Sequence, residues 1–142
     1  MPATTTHEGG CACGAVRFVA RGAPWRVGVC HCLTCRKRHG APFNAFAIFP
    51  AEQVEISGGE LGVFASSAHG RGWFCKSCGS PVFWRHEGSD EIELYLGSFD
   101  EPNLWSPTYE LWMPRREAWL PDLPTVRARY EGNRAGTGRT EP

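Results

Sequence analysis

Seven cysteines stand in three tight groups: Cys11-Ala12-Cys13, Cys30-His31-Cys32-Leu33-Thr34-Cys35 and Cys75-Lys76-Ser77-Cys78. Tetrahedral zinc takes four ligands, so the two pairs make one full set and the triplet is left over. In Cys75–Cys78 the two intervening residues let the chain turn so that both sulfurs reach one ion, and Gly79 tolerates the left-handed turn that follows. In Cys11–Cys13 both sulfurs can lie on one face of an extended segment, because side chains at i and i+2 point the same way. Joining the pairs clamps the first strand to the middle of the chain. The triplet is different. Three thiolates within six residues form a tripod that needs no distant partner, and its fourth position is open to water or an incoming thiol. Zinc there would make a bound water or thiol acidic enough to act as a nucleophile at neutral pH.

Four histidines other than His31 could be ligands, namely His7, His39, His69 and His86, yet the cysteines suffice and no histidine ligand is expected. His31, between two cysteines, is expected to point away from the ion. Basic residues follow the triplet at Arg36, Lys37 and Arg38, with a second cluster at Arg115 and Arg116. They could hold an anionic substrate group, Arg36 and Lys37 first. Phe43, Phe46, Trp73 and Trp84 could wall an apolar pocket or serve as core.

The elements that must position these groups are short. Ala15–Ala20 and Glu91–Leu96 alternate, the latter with Ile92, Leu94 and Leu96 opposite Glu91 and Glu93. Phe43–Phe49, Gln53–Ile56, Leu61–Phe64, Gly72–Phe74 and Pro81–Arg85 are further strand candidates, with turns at Ser57–Glu60 and Gly88–Asp90. Leu33–His39 reads as the one short helix, stopped by Gly40. The class is mainly β: short antiparallel sheets, one short helix and zinc staples. A loose arm is expected over 1–8, one domain over 9–134 and a disordered tail over 135–142.

Length and composition agree. A chain of 142 residues with 42% apolar residues can form one core, burying roughly 68–70% of its unfolded surface without disulfides. Lysine plus arginine equals aspartate plus glutamate, 15 against 15, so a general nucleic-acid binder is not expected. The start of the chain has neither the basic nor the apolar region of a signal peptide, and no stretch approaches the ~20 apolar residues of a membrane helix. A cytoplasmic protein is expected, where clustered cysteines bind metal or do chemistry more often than they form disulfides.

Three segments carry a resemblance: Gly10–Phe18, Cys30–Lys37 and Phe74–Pro81, followed by Gly97-Ser98-Phe99-Asp100, Tyr109-Glu110-Leu111-Trp112, Arg116 and Trp119-Leu120. The chain resembles the glutathione-dependent formaldehyde-activating enzyme family, which shares its domain with centromere protein V. The resemblance implies an Mss4-like fold with two zinc ions. Cys11, Cys13, Cys75 and Cys78 would hold the structural one, and Cys30, Cys32 and Cys35 the catalytic one. It implies condensation of formaldehyde with glutathione to S-(hydroxymethyl)glutathione, a carbon–sulfur lyase reaction run in reverse. Family members often carry histidine where this chain has Glu110. A rival expectation from another class is a zinc-stapled module that binds a protein or thiol ligand without turnover.

Overall fold

Short alternating runs can satisfy their backbone groups only by pairing with neighbouring strands, and the chain does so in two sheets. The computed structural model describes residues 5–134. Its first strands are β1 (Thr6–Gly10), β2 (Arg17–Arg21) and β3 (Arg26–Cys30), followed by helix α1 (Leu33–His39). Then come β4 (Asn44–Pro50), β5 (Val54–Ser57), β6 (Leu61–Ala65), β7 (Gly70–Cys75), β8 (Pro81–His86) and β9 (Glu91–Tyr95). Two very short strands close the order, β10 (Tyr109–Leu111) and β11 (Ala128–Arg129). None of the described helices is long and apolar enough to cross a membrane.

The small sheet runs β1-β2-β5 and is antiparallel throughout. The large sheet runs β11-β10-β3-β4-β9-β8-β7-β6. It too is antiparallel except at one edge, where β10 pairs parallel with both β3 and β11. The loose arm expected over 1–8 ends sooner. Thr6–Gly10 pairs with Arg17–Arg21, which satisfies the backbone groups that a free arm would leave to water. The expected tail over 135–142 lies outside the described residues.

Alternation along the central strands divides the interior in two. In β4, Ala47 and Phe49 enter a core with Phe18, Val82, Ile92 and Leu94, drawn from both sheets. Phe46 and Ile48 project the opposite way and join Cys30, Tyr95 and Tyr109. Phe18 and Phe49 are almost wholly buried. Each contributes roughly 1.5–3 kcal/mol by leaving water. The first core holds the sheets together, and the second underlies the cysteine triplet.

Helix α1 forms because its ends are capped locally. The Cys32 sulfur accepts the backbone N–H of Cys35 at 3.4 Å, and Gly40 adopts φ 60°, ψ 33°, the left-handed conformation expected of it. The helix therefore starts on a cysteine of the triplet and carries Cys35 in its first turn.

Candidate metal centres and the adjoining cavity

The first cysteine pair lies in the turn between β1 and β2; of the last pair, Cys75 ends β7 and Cys78 lies in the turn before β8. The two turns share a design. Gly14 (φ 80°) donates its N–H to the Cys11 carbonyl at 3.1 Å, and Gly79 (φ 79°) donates to the Cys75 carbonyl at 2.8 Å. Each glycine takes a backbone conformation that a side chain would strain. Backbone and hydroxyl groups then turn toward sulfur: Val16 N–H lies 3.2 Å from Cys11 Sγ, and Ser80 Oγ lies 3.2 Å from Cys78 Sγ. The hydroxyl and backbone N–H of Ser80 push the Cys78 thiol down to about 5. Ser80 also accepts the Ala12 N–H at 3.0 Å, binding one turn to the other.

All four sulfurs lie within 4.8 Å of one another, Cys11 to Cys13 at 3.6 Å and Cys13 to Cys75 at 3.8 Å. The three sulfurs of Cys30, Cys32 and Cys35 form a second such group. Cys30 ends β3, Cys32 caps α1 and Cys35 follows one turn later. Both groups could hold a metal ion, and all-thiolate sets of four and three suit zinc. The three sulfurs act strongly on one another's protons. Hydrogen bonding to Cys30 and Cys35 pushes the Cys32 thiol down to about 2, while Cys32 pushes Cys30 up to about 12. Three thiolates this close need positive charge between them.

The triplet forms part of the wall of a cavity of about 650 Å³. Phe46, Ile48 and Trp84 supply its apolar surface, while Arg26, Arg38, Arg115 and Glu93 supply charge. Arg26 is held by Glu91 through two bonds of 2.9 and 2.8 Å and donates to Tyr109 Oη at 3.2 Å. Arg38 donates to Tyr95 Oη and to the Trp73 carbonyl at 3.0 Å, and lies 5.3 Å above the Tyr95 ring. At the mouth stands Trp112 in a left-handed conformation (φ 59°, ψ 50°), with its indole N–H on Asn133 Oδ1 at 3.1 Å. Such backbone costs about 1–3 kcal/mol and recurs at functional sites.

The structure brings some expected residues to this cavity and turns others away. Arg38 and His39 stand three and four positions after Cys35, on the same side of the helix, and both reach the wall. Arg36 and Lys37 stand one and two positions after it, so the helix carries them off that face. Arg36 instead pairs with Glu117 at 2.8 Å and donates to the Pro42 carbonyl at 3.0 Å, and Lys37 is exposed. Phe46 and Trp84 line the cavity, whereas Trp73 stacks on Phe83 with centroids 4.8 Å apart. Phe43 lines a second cavity of about 510 Å³ with Asn44, His39 and Tyr95.

His31 does point away from the sulfurs and is completely buried. Its Nε2–H donates to Glu110 Oε1 at 2.8 Å. Glu110, equally buried, also accepts from Arg116 Nε at 2.9 Å and Arg129 Nε at 3.3 Å. Arg116 is fixed in turn by the carbonyls of Leu120 and Pro121. Glu110 thus anchors the Cys30–Cys35 loop from behind, through His31. Two buried nitrogens beside Cys30 lack partners among the described residues: His31 Nδ1, next in sequence, and Asn44 Nδ2, opposite Cys30 in the β3–β4 ladder. Sequence reasoning missed the cavity-facing role of Glu93 and the anchoring role of Glu110.

The geometry can be set beside known proteins. A solved structure of a Rhodobacter sphaeroides protein superposes with a TM-score of 0.54 at 20% identity, covering 68% of this chain and 91% of that one. That likeness concerns the fold alone. An uncharacterized lyase of Schizosaccharomyces pombe is 33% identical over 81 residues, which is 56% of this chain and 58% of the relative. The chain thus spans little more than half that relative's length. Residues 6–115 match the family described as glutathione-dependent formaldehyde-activating enzyme, and all three cysteine groups fall inside that span. By that match the chain belongs to the glutathione-dependent formaldehyde-activating enzyme family.

Proposed function

We propose that the protein is a zinc-dependent enzyme of the carbon–sulfur lyase kind. It would add a thiol such as glutathione to formaldehyde or another small carbonyl compound, and catalyse the reverse elimination. One observation carries the reading: three cysteine sulfurs within 4.8 Å of one another in the wall of a 650 Å³ cavity, with no fourth ligating side chain among the described residues. Cys30, Cys32 and Cys35 would hold the ion, and zinc supplies a Lewis acid that makes a thiol more acidic. Cys11, Cys13, Cys75 and Cys78 would hold a structural ion.

The chain's own residues do the rest. Arg38 and Arg115 offer positive charge to the carboxylates of a glutathione-like thiol, in place of the Arg36 and Lys37 expected from sequence. Phe46, Ile48 and Trp84 exclude water from the reacting groups. The volume falls within the range of roughly 300–1,000 Å³ usual for small-molecule sites.

The test is to incubate the zinc-loaded protein with glutathione and formaldehyde and follow adduct exchange by NMR. Faster exchange with protein, lost in Cys35→Ser, supports the reading. Exchange no faster than without protein ends it. Cobalt in place of zinc separates the rival: an enzyme of this kind shows a thiol-dependent change in the cobalt spectrum, and a closed, non-catalytic module shows none.

A further inference from the structure

Resting on the thiol–carbonyl reading above, we propose that Glu93 is the proton-transfer residue of this site. It takes the proton of the incoming thiol and returns it to the carbonyl oxygen.

The placement follows from strand geometry. Ile92 and Leu94 are buried in the first core, so Glu93 between them must project to the opposite face of β9. Its neighbours across the ladders are Ile48 on β4 and Trp84 on β8, and both line the same cavity as the cysteine triplet. Glu93 is half-buried. Nonetheless, it receives no hydrogen bond and makes no ion pair within the described structure, and only longer-range charge acts on it.

Other carboxylates around this region are held. Glu91 is bound by Arg26 and Glu110 by His31, Arg116 and Arg129. A desolvated carboxylate without a partner costs stability, so one left free on the wall of a cavity is a candidate for chemistry. Arg38 faces it as a charge, but its guanidinium already donates to Tyr95 and Trp73. Charge also reaches it from Arg26 on β3, Cys32 and Cys35 of the triplet, and the phenols of Tyr95 and Tyr109, and the same wall carries Cys30, His39, Glu91, Arg115 and Arg134. Burial raises the Glu93 carboxyl to about 7, where acid and base forms coexist at neutral pH.

The step balances without an oxidant. The thiol S–H bond breaks and its proton goes to the Glu93 carboxylate. The sulfur's electron pair forms the S–C bond while the carbonyl π pair moves onto oxygen. The carboxyl proton then passes to that oxygen, giving the hemithioacetal and restoring Glu93. The reverse order serves the elimination.

Glu93→Gln keeps the shape and removes the basicity. NMR exchange between formaldehyde and the glutathione adduct should slow on the order of 10²–10⁴-fold, with zinc content unchanged. Glu93→Ala should be slow in the same way and should recover with added acetate in a concentration-dependent manner, which a purely structural role would not produce. Should the Gln variant fail to fold, the Ala variant with acetate and Glu93→Asp decide the matter. The proposal is overturned if the Gln variant exchanges as fast as the wild type, or if acetate does not rescue the Ala variant. A wild-type protein that fails to accelerate exchange overturns the thiol–carbonyl reading and this role with it. An active wild type with an equally active Gln variant removes Glu93 alone.

Discussion

At the scale of single residues, Glu110 is the group whose chemistry is most constrained. Burial pushes its carboxyl up, but hydrogen bonds from Arg116 and His31 and their charges outweigh burial and hold it below the ordinary value of 4.5. A carboxyl lowered in the folded state contributes stability that is present above the unfolded pKa and lost as pH falls through the folded one. Replacing it with glutamine leaves Arg116 and His31 facing a neutral amide in the interior. Glu110→Gln should therefore cost about 3–5 kcal/mol at neutral pH. In urea titrations the gap between wild type and variant should begin to narrow as pH falls below about 4.5, the unfolded value, and close only below the lower folded value, where the wild type is also neutral at this position. A gap independent of pH would show that packing alone, and not the charge, anchors the Cys30–Cys35 loop. Comparing two proteins that share both cysteine groups cancels the loss of metal in acid.

At the scale of elements, the edge of the large sheet depends on a missing side chain. The Tyr109 ring lies over Gly28, and a Cβ there would meet three ring carbons at 2.6–2.9 Å. Tyr109 is buried beneath Phe46 and Tyr130 and cannot retreat easily. Gly28→Ala should cost roughly 1–3 kcal/mol in thermal or chemical unfolding and loosen β10, which carries Glu110. An unchanged midpoint would show that the ring can move. That same glycine hid β3 from sequence reading, since Arg-Val-Gly-Val-Cys shows no clear alternation and an interior glycine weakens a strand. β10 and β11 escaped because strands of three and two residues give no period at all. Strong local signals were legible: α1 spans Leu33–His39 with its Gly40 cap, and the alternation of β9 placed Glu93 opposite Leu94. What alternation could not say is which face of β9 would be roofed by α1 and the Trp112 segment. That roof turns a polar strand face into a cavity wall, and it exists only in the tertiary structure.

At the scale of the whole molecule, the two cysteine groups differ in what they span. The triplet lies within six residues and closes almost no chain, whereas Cys13 and Cys75 are 62 residues apart and sit at turns of different sheets. Chain-closure entropy grows with the logarithm of loop length, so an ion on the four-cysteine group constrains the unfolded chain by about 2 kcal/mol more than one on the triplet. It also joins the β1–β2 turn to the β7–β8 turn. Metal bound only by the folded chain is itself folding energy. With zinc on both groups, as proposed, each Cys→Ser change should lower the zinc content from two ions per chain to one, but with different consequences. Cys78→Ser should lower the unfolding temperature sharply and release the small sheet, seen as loss of hydrogen-exchange protection in β1 and β2. Cys35→Ser should leave that protection and most of the unfolding temperature intact while abolishing adduct exchange. Equal losses of stability from the two variants would mean that the triplet is a second staple, and the division between a scaffold metal and a reactive metal would fall.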